Sequence, residues 1–465
     1  MEINRNDLNW NYGATFLKIA SSVILLPLIL RKMPSEMVGI WTVFMTITTF
    51  STLLDFGFNS SFARNITYIF CGVNNLSVNG HESLEDEKSQ KVDYGLLAGA
   101  IDAMRWFYLR IAVILFLLLS TLGTYYVYFI LKKYKGEVSD IYIAWIILCL
   151  INTYNIFTLY YDSLLQGKGL VKQSKQILII GNMVYLITAS LLILMDYGLI
   201  AVISAQVTSV VIIRWLSYKS FFTKEMSEKI TESKPRPKDE VFRAIYPNAM
   251  KMGLTSLGGF LVQKAALIIG SLYLTLNEIA AYGISMQLIG VIFSLAVIYT
   301  ATFIPKIVKL RVENNLREIK KLYLNGQLLL FITFMIGGLV LVIFGEWGIK
   351  LIGSQTILMN KSLMGFAVLI AFLECNHSVA GSIILTKNSV PFFKVSILSG
   401  LLTVVLLLFF FNFTTVGLLA MILSPGIAQG LYQNWKWPIV VCKELKVEKN
   451  DIAKTFIFFL NFKTK

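Results

Sequence analysis

Charged residues are scarce in this chain. Only 15% of its 465 residues are Asp, Glu, Lys or Arg, whereas about 25% is usual for a soluble domain. Hydrophobic residues make up 56%, and the mean hydropathy is +0.68. This composition excludes an ordinary water-soluble enzyme, and so many apolar side chains cannot stay disordered in water. An integral membrane protein is the class that remains.

Cysteine and histidine are also rare. Only two histidines are present, so a histidine-based metal centre is not expected, and no motif indicates a cofactor. None of the four cysteines belongs to a CxxC pair or to another metal-ligand spacing. We expect them to be free thiols in apolar surroundings. They are Cys71, Cys149, Cys375 and Cys442.

Long apolar runs predict about twelve membrane-crossing helices, because a helix needs about 20 mostly apolar residues to cross a bilayer. We therefore predict an all-α integral membrane protein. The predicted spans are residues 10–30, 37–58, 106–131, 141–164, 177–195, 199–218, 247–272, 279–303, 325–344, 363–385, 395–411 and 416–435. Asp196-Tyr-Gly198 is a turn signal, and it predicts a tight hairpin between spans 5 and 6.

The distribution of basic residues predicts the orientation of the spans. With a cytoplasmic N-terminus, the cytoplasmic segments contain 30 Lys and Arg residues and the opposite-side segments contain 7. Cytoplasmic loops are normally the basic ones, so both termini are predicted to be cytoplasmic. The same bias accounts for most of the net charge of +15, and no nucleic-acid partner is needed to explain it. The surrounding partner is the lipid bilayer, and we expect a multi-pass protein of the bacterial inner membrane.

Weak internal similarity predicts two lobes of six helices in the same orientation. Ser35-Glu36 opens span 2 and Asn277-Glu278 opens span 8, each as an N-cap residue followed by an acid. The lysines that follow spans 4 and 10, Lys168 and Lys387, are 219 residues apart. The predicted divisions are lobe 1–218, cytoplasmic linker 219–246, lobe 247–437 and basic cytoplasmic tail 438–465. Such a bundle is typical of alternating-access transporters.

Charged residues inside the spans are the first candidates for a functional site, because charge at membrane depth is costly and usually faces a cavity. Lys18 shares a helical face with Asn11, Thr15 and Ser22. It either faces a cavity or extends to the cytoplasmic interface. Arg64 at the end of span 2 either binds an anionic group in bidentate fashion or is an ordinary positive-inside residue.

Acids in spans 2 and 4 are candidates for coupling to protons or ions. Asp55 lies on the opposite face of span 2 from Arg64. It either couples transport or is a structural acid, paired or kept neutral by burial. Asp162 lies on a stripe of span 4 with Asn155. Span 3 adds one cation, Arg110, to the candidates for anion binding.

Spans 7 and 10 supply the candidates of the second lobe. Lys251 and Lys264 are 13 residues apart in span 7, so only one is expected to face a given cavity. Lys251 has polar residues on its face, whereas Lys264 lies deeper and would cost more to bury unpaired. In span 10, Glu374 and His377 form either a proton-responsive pair or part of an ion pair with a cation from another span.

Cations outnumber acids within the spans, which favours an anionic substrate. The acids are Asp55, Asp162 and Glu374, and the cations are Lys18, Arg110, Arg214, Lys251 and Lys264, with Arg64 at a span end. Ionisable groups on so many helices indicate a large cavity rather than a narrow ion filter.

Three segments of the chain, together with the twelve-span layout, resemble the Wzx-type polysaccharide flippases of the multidrug/oligosaccharidyl-lipid/polysaccharide exporter superfamily. They are Leu54-Asp-Phe-Gly-Phe-Asn-Ser-Ser-Phe-Ala-Arg-Asn65, Glu36-Met-Val-Gly-Ile-Trp41 and Gly167-Lys-Gly169. The resemblance covers essentially the whole chain and implies two six-helix lobes around a cationic cavity. It further implies transport of an undecaprenyl-pyrophosphate-linked oligosaccharide, such as an O-antigen or capsule repeat unit. Only Arg64, among the basic candidates, matches a position of the family pattern.

The sequence therefore favours a non-enzymatic flippase that moves its substrate from the cytoplasmic to the periplasmic leaflet, coupled to protons or ions. Components of a glycan polymerase system are possible partners. One alternative is a drug or cation antiporter of the same superfamily, which needs an acidic pocket. Another is a membrane glycan polymerase or ligase, which generally needs a sizeable periplasmic loop. The longest predicted opposite-side segment, residues 345–362, is short for that purpose.

Overall fold

The computed structural model describes residues 17, 21, 24–73, 92–387, 391–448 and 451. Within these residues the regular structure is helical, and no strand occurs. A helical segment at residues 24–32 is followed by fifteen helices. They are α1 Ser35–Leu53, α2 Phe58–Phe70, α3 Tyr94–Leu131, α4 Ser139–Phe157, α5 Tyr160–Gly167, α6 Val171–Leu194, α7 Gly198–Phe221, α8 Lys224–Glu232, α9 Lys238–Tyr273, α10 Leu276–Val312, α11 Leu316–Ile352, α12 Lys361–Leu385, α13 Phe393–Phe413, α14 Leu418–Gly430 and α15 Gln433–Glu444.

The predicted all-α membrane architecture is confirmed. Among the described residues, 9 helices or joined helix pairs are long and apolar enough to cross a membrane, and the bent pair α1 and α2 makes a tenth. These ten correspond to predicted spans 2 to 11. Most of span 1 lies outside the described residues. Span 12 is broken between α14 and α15, so neither piece is long enough to cross a bilayer alone.

The chain divides into two compact units, Met1–Leu257 and Gly258–Lys465. The division falls inside α9, a continuous helix of 36 residues. The predicted linker, residues 219–246, forms the end of α7, helix α8 and the first turns of α9, all in the first unit. The predicted lobe boundaries stay a prediction.

The segment that joins α8 to α9 packs along the first turns of α3. Arg236 forms an ion pair with Asp93 at 2.6 Å, and the Arg236 N–H donates to the Gly95 carbonyl at 3.1 Å. Asp93 also caps α3 by accepting from the Leu96 N–H. A Cβ on Gly99 would lie only 2.5 Å from the Arg236 carbonyl oxygen. The linker can approach α3 closely because the first turns of α3 carry Gly95 and Gly99, which have no side chain in the way.

Two helices of the first unit are broken, and the breaks shape the candidate site. Helices α1 and α2 meet at 41°, around Phe56 and Gly57, both with positive φ (48° and 73°). Glycine adopts this conformation freely, whereas Phe56 does so at a cost of about 1–2 kcal/mol. The second break separates α4 from α5. Helix α5 packs closely on α2, because a Cβ on Gly167 would come within 2.4 Å of Ile66.

In the second unit, ordinary capping defines the start of α10. Thr275 is the N-cap residue, and its hydroxyl and the Glu278 carboxylate form a reciprocal capping box. The N-cap residue therefore lies two positions before the predicted N-cap Asn277. At the other end of the helix, Arg311 forms an ion pair with Glu444 of α15. Glu444 also binds Lys387, at 2.6 Å, so the ends of three chain segments are joined.

Replacing Gly167 with Ala should lower stability by about 1–3 kcal/mol, because the new Cβ overlaps Ile66 in a packed interior. The matched control is Gly259→Ala, in α9, where a Cβ meets no atom of the described residues within 4 Å. This control should raise stability by up to about 1 kcal/mol through helix propensity. Chemical unfolding in detergent micelles measures both values. Equal effects of the two substitutions would contradict the described packing of α5 on α2.

Candidate functional site

Asp55 lies at the α1–α2 break and organises the polar groups around it. The residue is buried, with 9% of its surface exposed. Its carboxyl oxygens accept from the Asn59 N–H at 3.0 and 3.1 Å, so the side chain caps the first turn of α2. The Tyr108 hydroxyl of α3 donates to the same carboxyl group at 2.5 Å. Asp55 thus fixes the helix break against α3.

Asp162, in the first turn of α5, forms an ion pair with Arg214 of α7. Arg214 Nη1 lies 2.8 Å from Asp162 Oδ1, and Nη2 donates to Asn155 Oδ1 at 2.7 Å. Only 6% of the Arg214 side chain is exposed. The predicted stripe of Asn155 and Asp162 is therefore brought together around one guanidinium. Asp162, a candidate for coupling, is thus held in an ion pair.

The two acidic groups belong to one polar region of the first unit. Tyr108 is fully buried and interacts electrostatically with Asp55, Asp162 and Arg214. The second halves of the broken helices are also joined directly, since the Ser163 hydroxyl donates to the Asn59 carbonyl at 2.9 Å. Half-helices that begin inside a bundle are the kind of element that forms ion and substrate sites in transporters.

Two basic candidates of the first unit, Arg64 and Arg110, have no acidic partner within the part of the chain that the structure describes. Arg64 of α2 and Arg110 of α3 are both exposed. Neither forms an ion pair with an acid among the described residues. The Arg110 guanidinium instead lies 3.7 Å from the centre of the Trp106 ring, a cation–π contact. Apolar side chains are exposed beside Arg110, among them Leu109 and Val113, and its role in binding an anion stays a prediction.

Lys168, in the turn after α5, belongs to the Gly-Lys-Gly motif. Its ammonium group lies 5.4 Å from the centre of the Phe221 ring. Burial lowers the pKa of Lys168, and the nearby carboxylate of Glu225 opposes this shift. The turn therefore places a half-buried cation at the end of the first unit that is predicted to be cytoplasmic.

In the second unit, Glu374 binds a neutral partner. The Gln263 amide of α9 donates to Glu374 Oε1 at 2.7 Å. Lys264, half-buried on the same helix, interacts with Glu374 electrostatically but does not form a close ion pair with it among the described residues. Glu374 and Lys264 thus lie near each other on neighbouring helices. Lys264 is the lysine of span 7 that is predicted to lie deeper.

His377 does not pair with Glu374. Its Nδ1 lies 2.8 Å from Asn434 Oδ1 of α15, whereas Glu374 is bound by α9. The two residues share a face of α12, but each has a partner on another helix: Gln263 of α9 binds Glu374, and Asn434 of α15 binds His377. The predicted proton-responsive pair is therefore wrong for the conformation described.

Two predicted basic candidates are not placed by the structure. Lys18 lies outside the described residues, and so does the side chain of Lys251, although its backbone belongs to α9. Sequence reasoning also missed several groups that form hydrogen bonds with the candidate residues Asp55, Glu374 and His377. Tyr108, Gln263 and Asn434 are uncharged, so a search for intramembrane charge could not find them.

The arrangement of helices resembles that of solved transporters of the MOP superfamily. The chain resembles an inward-facing multidrug resistance MATE family transporter of that superfamily, with a TM-score of 0.63 and 15% identity over 95% of each chain. It also resembles the lipid II flippase MurJ in an inward closed conformation, with a TM-score of 0.62 and 13% identity over 98% of this chain and 92% of the other.

A third similar structure is a MOP superfamily transporter from Pyrococcus furiosus, described as having a binding pocket of reverse polarity that suggests a different function. Its TM-score is 0.55, with 15% identity over 95% of each chain. No protein-family model and no curated protein matches the sequence significantly. At these identities the comparisons establish the fold, and they agree with the expected exporter architecture.

Replacing Arg214 with Met should destabilise the protein by about 3–5 kcal/mol, because Asp162 and Asn155 lose a buried partner. The double variant Arg214→Met/Asp162→Asn should recover part of this loss. The control is Lys32→Met, which removes an exposed ion pair with Asp196 and should cost about 1 kcal/mol or less. Unfolding in detergent measures each variant. A loss no greater for Arg214→Met than for Lys32→Met would contradict a structural ion pair.

Proposed function

We propose that the chain is a Wzx-type flippase. Its substrate would be an oligosaccharide linked to undecaprenyl pyrophosphate, moved from the cytoplasmic to the periplasmic leaflet of a bacterial inner membrane. The fold supports this proposal, since MurJ, described as a lipid II flippase, is among the similar structures. No step in such transport requires covalent catalysis, so the protein would act as a transporter rather than as an enzyme.

The observation that carries the proposal is the unequal pairing of charges. Within the described residues, each intramembrane acid accepts a hydrogen bond: Asp55 from Tyr108, Asp162 from Arg214 and Glu374 from Gln263. Arg64 and Arg110 are exposed and have no acidic partner there. Guanidinium groups without a carboxylate are available to an external anion, and their planar geometry suits phosphate. An anionic substrate is therefore favoured over a cationic one.

The intramembrane acids are the candidates for energy coupling. Asp55 and Glu374 are hydrogen-bonded by neutral groups rather than neutralised by close cations. A proton or a metal cation would change the charge of either group and alter its contacts. Asp55 is the better candidate in the first unit, because it also caps α2 and so links the charge to the helix break.

The alternative function is export of a cationic drug in exchange for ions. The same two acids favour it, since a buried carboxyl group without a close cation can attract one, and the MATE transporters share the fold. The glycan polymerase or ligase has no such support from the described geometry. The alternatives differ in the sign of the substrate charge, which mutation of Arg64 can test.

Replacing Arg64 with Gln should abolish or strongly reduce glycan export, because the variant loses a phosphate-binding group. Export is measured in a strain that lacks its own flippase and expresses the full chain, with protein level checked in the membrane fraction. The matched control is Arg31→Gln, which replaces another exposed arginine. Arg31 follows span 1 on the predicted periplasmic side, whereas Arg64 lies at the predicted cytoplasmic end of span 2. Full export by the Arg64 variant would contradict the role of Arg64 in substrate binding.

Asp55→Asn and Glu374→Gln should remove the response of transport to an ion gradient, because neither amide can exchange a proton or retain the negative charge. The assay follows flipping of a lipid-linked oligosaccharide in liposomes under an imposed pH or sodium gradient. Wild-type protein should respond to one gradient. Indifference of the wild type to both gradients would rule out the proposed coupling, and an unchanged response in both variants would exclude these acids.

A further inference from the structure

An apolar groove lies on the surface of the first unit between α3 and α4. It has a volume of about 360 Å³ and is lined on α3 by Leu109, Val113 and Leu117, among others. On α4 it is lined by residues that include Leu150 and Tyr154. From Leu109 to Leu117 it extends about 12 Å along α3. These side chains are exposed in helices that are long and apolar enough to cross a membrane, and an exposed apolar surface of this kind suits contact with hydrocarbon.

A cation lies beside one end of this groove. Arg110 follows Leu109 directly, and its guanidinium is directed toward the start of α3, over the Trp106 ring at 3.7 Å. Long side chains on a helix normally point in this direction. Among the described residues, no acid pairs with Arg110. In the predicted topology this end of α3 is cytoplasmic, and Arg110 is the fifth residue of the predicted span 106–131, so we expect its guanidinium near the lipid phosphates of the cytoplasmic leaflet.

The combination of groove and cation matches the chemistry of one kind of lipid. The lining is apolar and therefore binds hydrocarbon, whereas a guanidinium at the interface binds phosphate. The aromatic ring under Arg110 restrains its orientation, and tryptophan is favoured at the level of the headgroups. One groove between two helices accommodates a single chain. A polyprenyl phosphate has one chain, whereas a phospholipid has two.

We propose that the α3–α4 groove binds the polyprenyl chain of a lipid-linked substrate and that Arg110 binds its phosphate. This site would hold the substrate at the membrane surface of the first unit before transport. The proposal depends on the proposed function for its biological meaning, but binding itself can be measured without transport. It also gives Arg110 a role distinct from that of Arg64.

The test is binding of undecaprenyl phosphate to the full chain in detergent, followed by native mass spectrometry. Replacing Arg110 with Gln should weaken binding about tenfold or more, since hydrogen bonds to charged groups contribute about 1.5–3 kcal/mol. Val113→Trp should also weaken binding, because it fills the groove. Its control is Ile114→Trp, at a neighbouring exposed position of the same helix (53% against 50% for Val113) that does not line the groove.

The proposal is overturned if Arg110→Gln and Val113→Trp bind as the wild type does, or if Ile114→Trp weakens binding as much as Val113→Trp. It is also overturned if phosphatidylglycerol displaces undecaprenyl phosphate at equal concentration, because the groove would then bind ordinary phospholipid. Should Val113→Trp fail to fold, Leu117→Trp provides a second filled groove. Wild-type binding without flipping in liposomes would instead contradict the proposed function and leave the groove assignment intact.

Discussion

The polar region of the first unit depends on the hydrogen bonds of Asp55. The chain breaks its helix at this point, adopts positive φ at Phe56 and Gly57, and then begins α2 with four N–H groups that lack helical partners. The Asp55 carboxyl group binds one of them and accepts from Tyr108 as well. In a bilayer an unsatisfied backbone group is costly, so a break at this depth requires such a cap. Any change in the charge of Asp55 therefore acts directly on the geometry of the break.

The second broken helix extends this dependence to the neighbouring charges. Asp162 lies at the start of α5, and α5 contacts α2 through Ser163 and Gly167. The ion pair with Arg214 then connects α5 to α7. A charge change at one break can thus reach three helices through direct contacts. Arg214 and Asp162 neutralise each other, so this pair removes one cation and one acid from the counts and leaves the excess of intramembrane cations unchanged. The cations that remain for a ligand are those without such partners.

Much of the fold could be predicted from the sequence, and the reasons are local. Apolar runs define spans 2 to 11 because a bilayer requires about 20 such residues. The α6–α7 hairpin forms at the expected Asp196-Tyr-Gly198 turn, where Asp196 and Gly198 have positive φ. The breaks after Leu53 and Phe157 were not predicted, because the hydropathy of those segments stays continuous. The pairing of Glu374 with Gln263 depends on how distant helices pack, and helical periodicity alone suggested His377 instead.

The position of Arg110 illustrates the limit of reading charge from a sequence. A cation within an apolar run was expected to face a cavity, because burial in lipid is costly. A long cationic side chain near the end of a span lowers this cost when it extends toward the headgroup region, and the Arg110 guanidinium stacks on Trp106. Whether a charge serves an interior path or the lipid surface thus depends on its depth and on its neighbours. For a substrate that is itself a lipid, the two locations are successive positions on one route, because the phosphate must leave the leaflet before it can enter the protein.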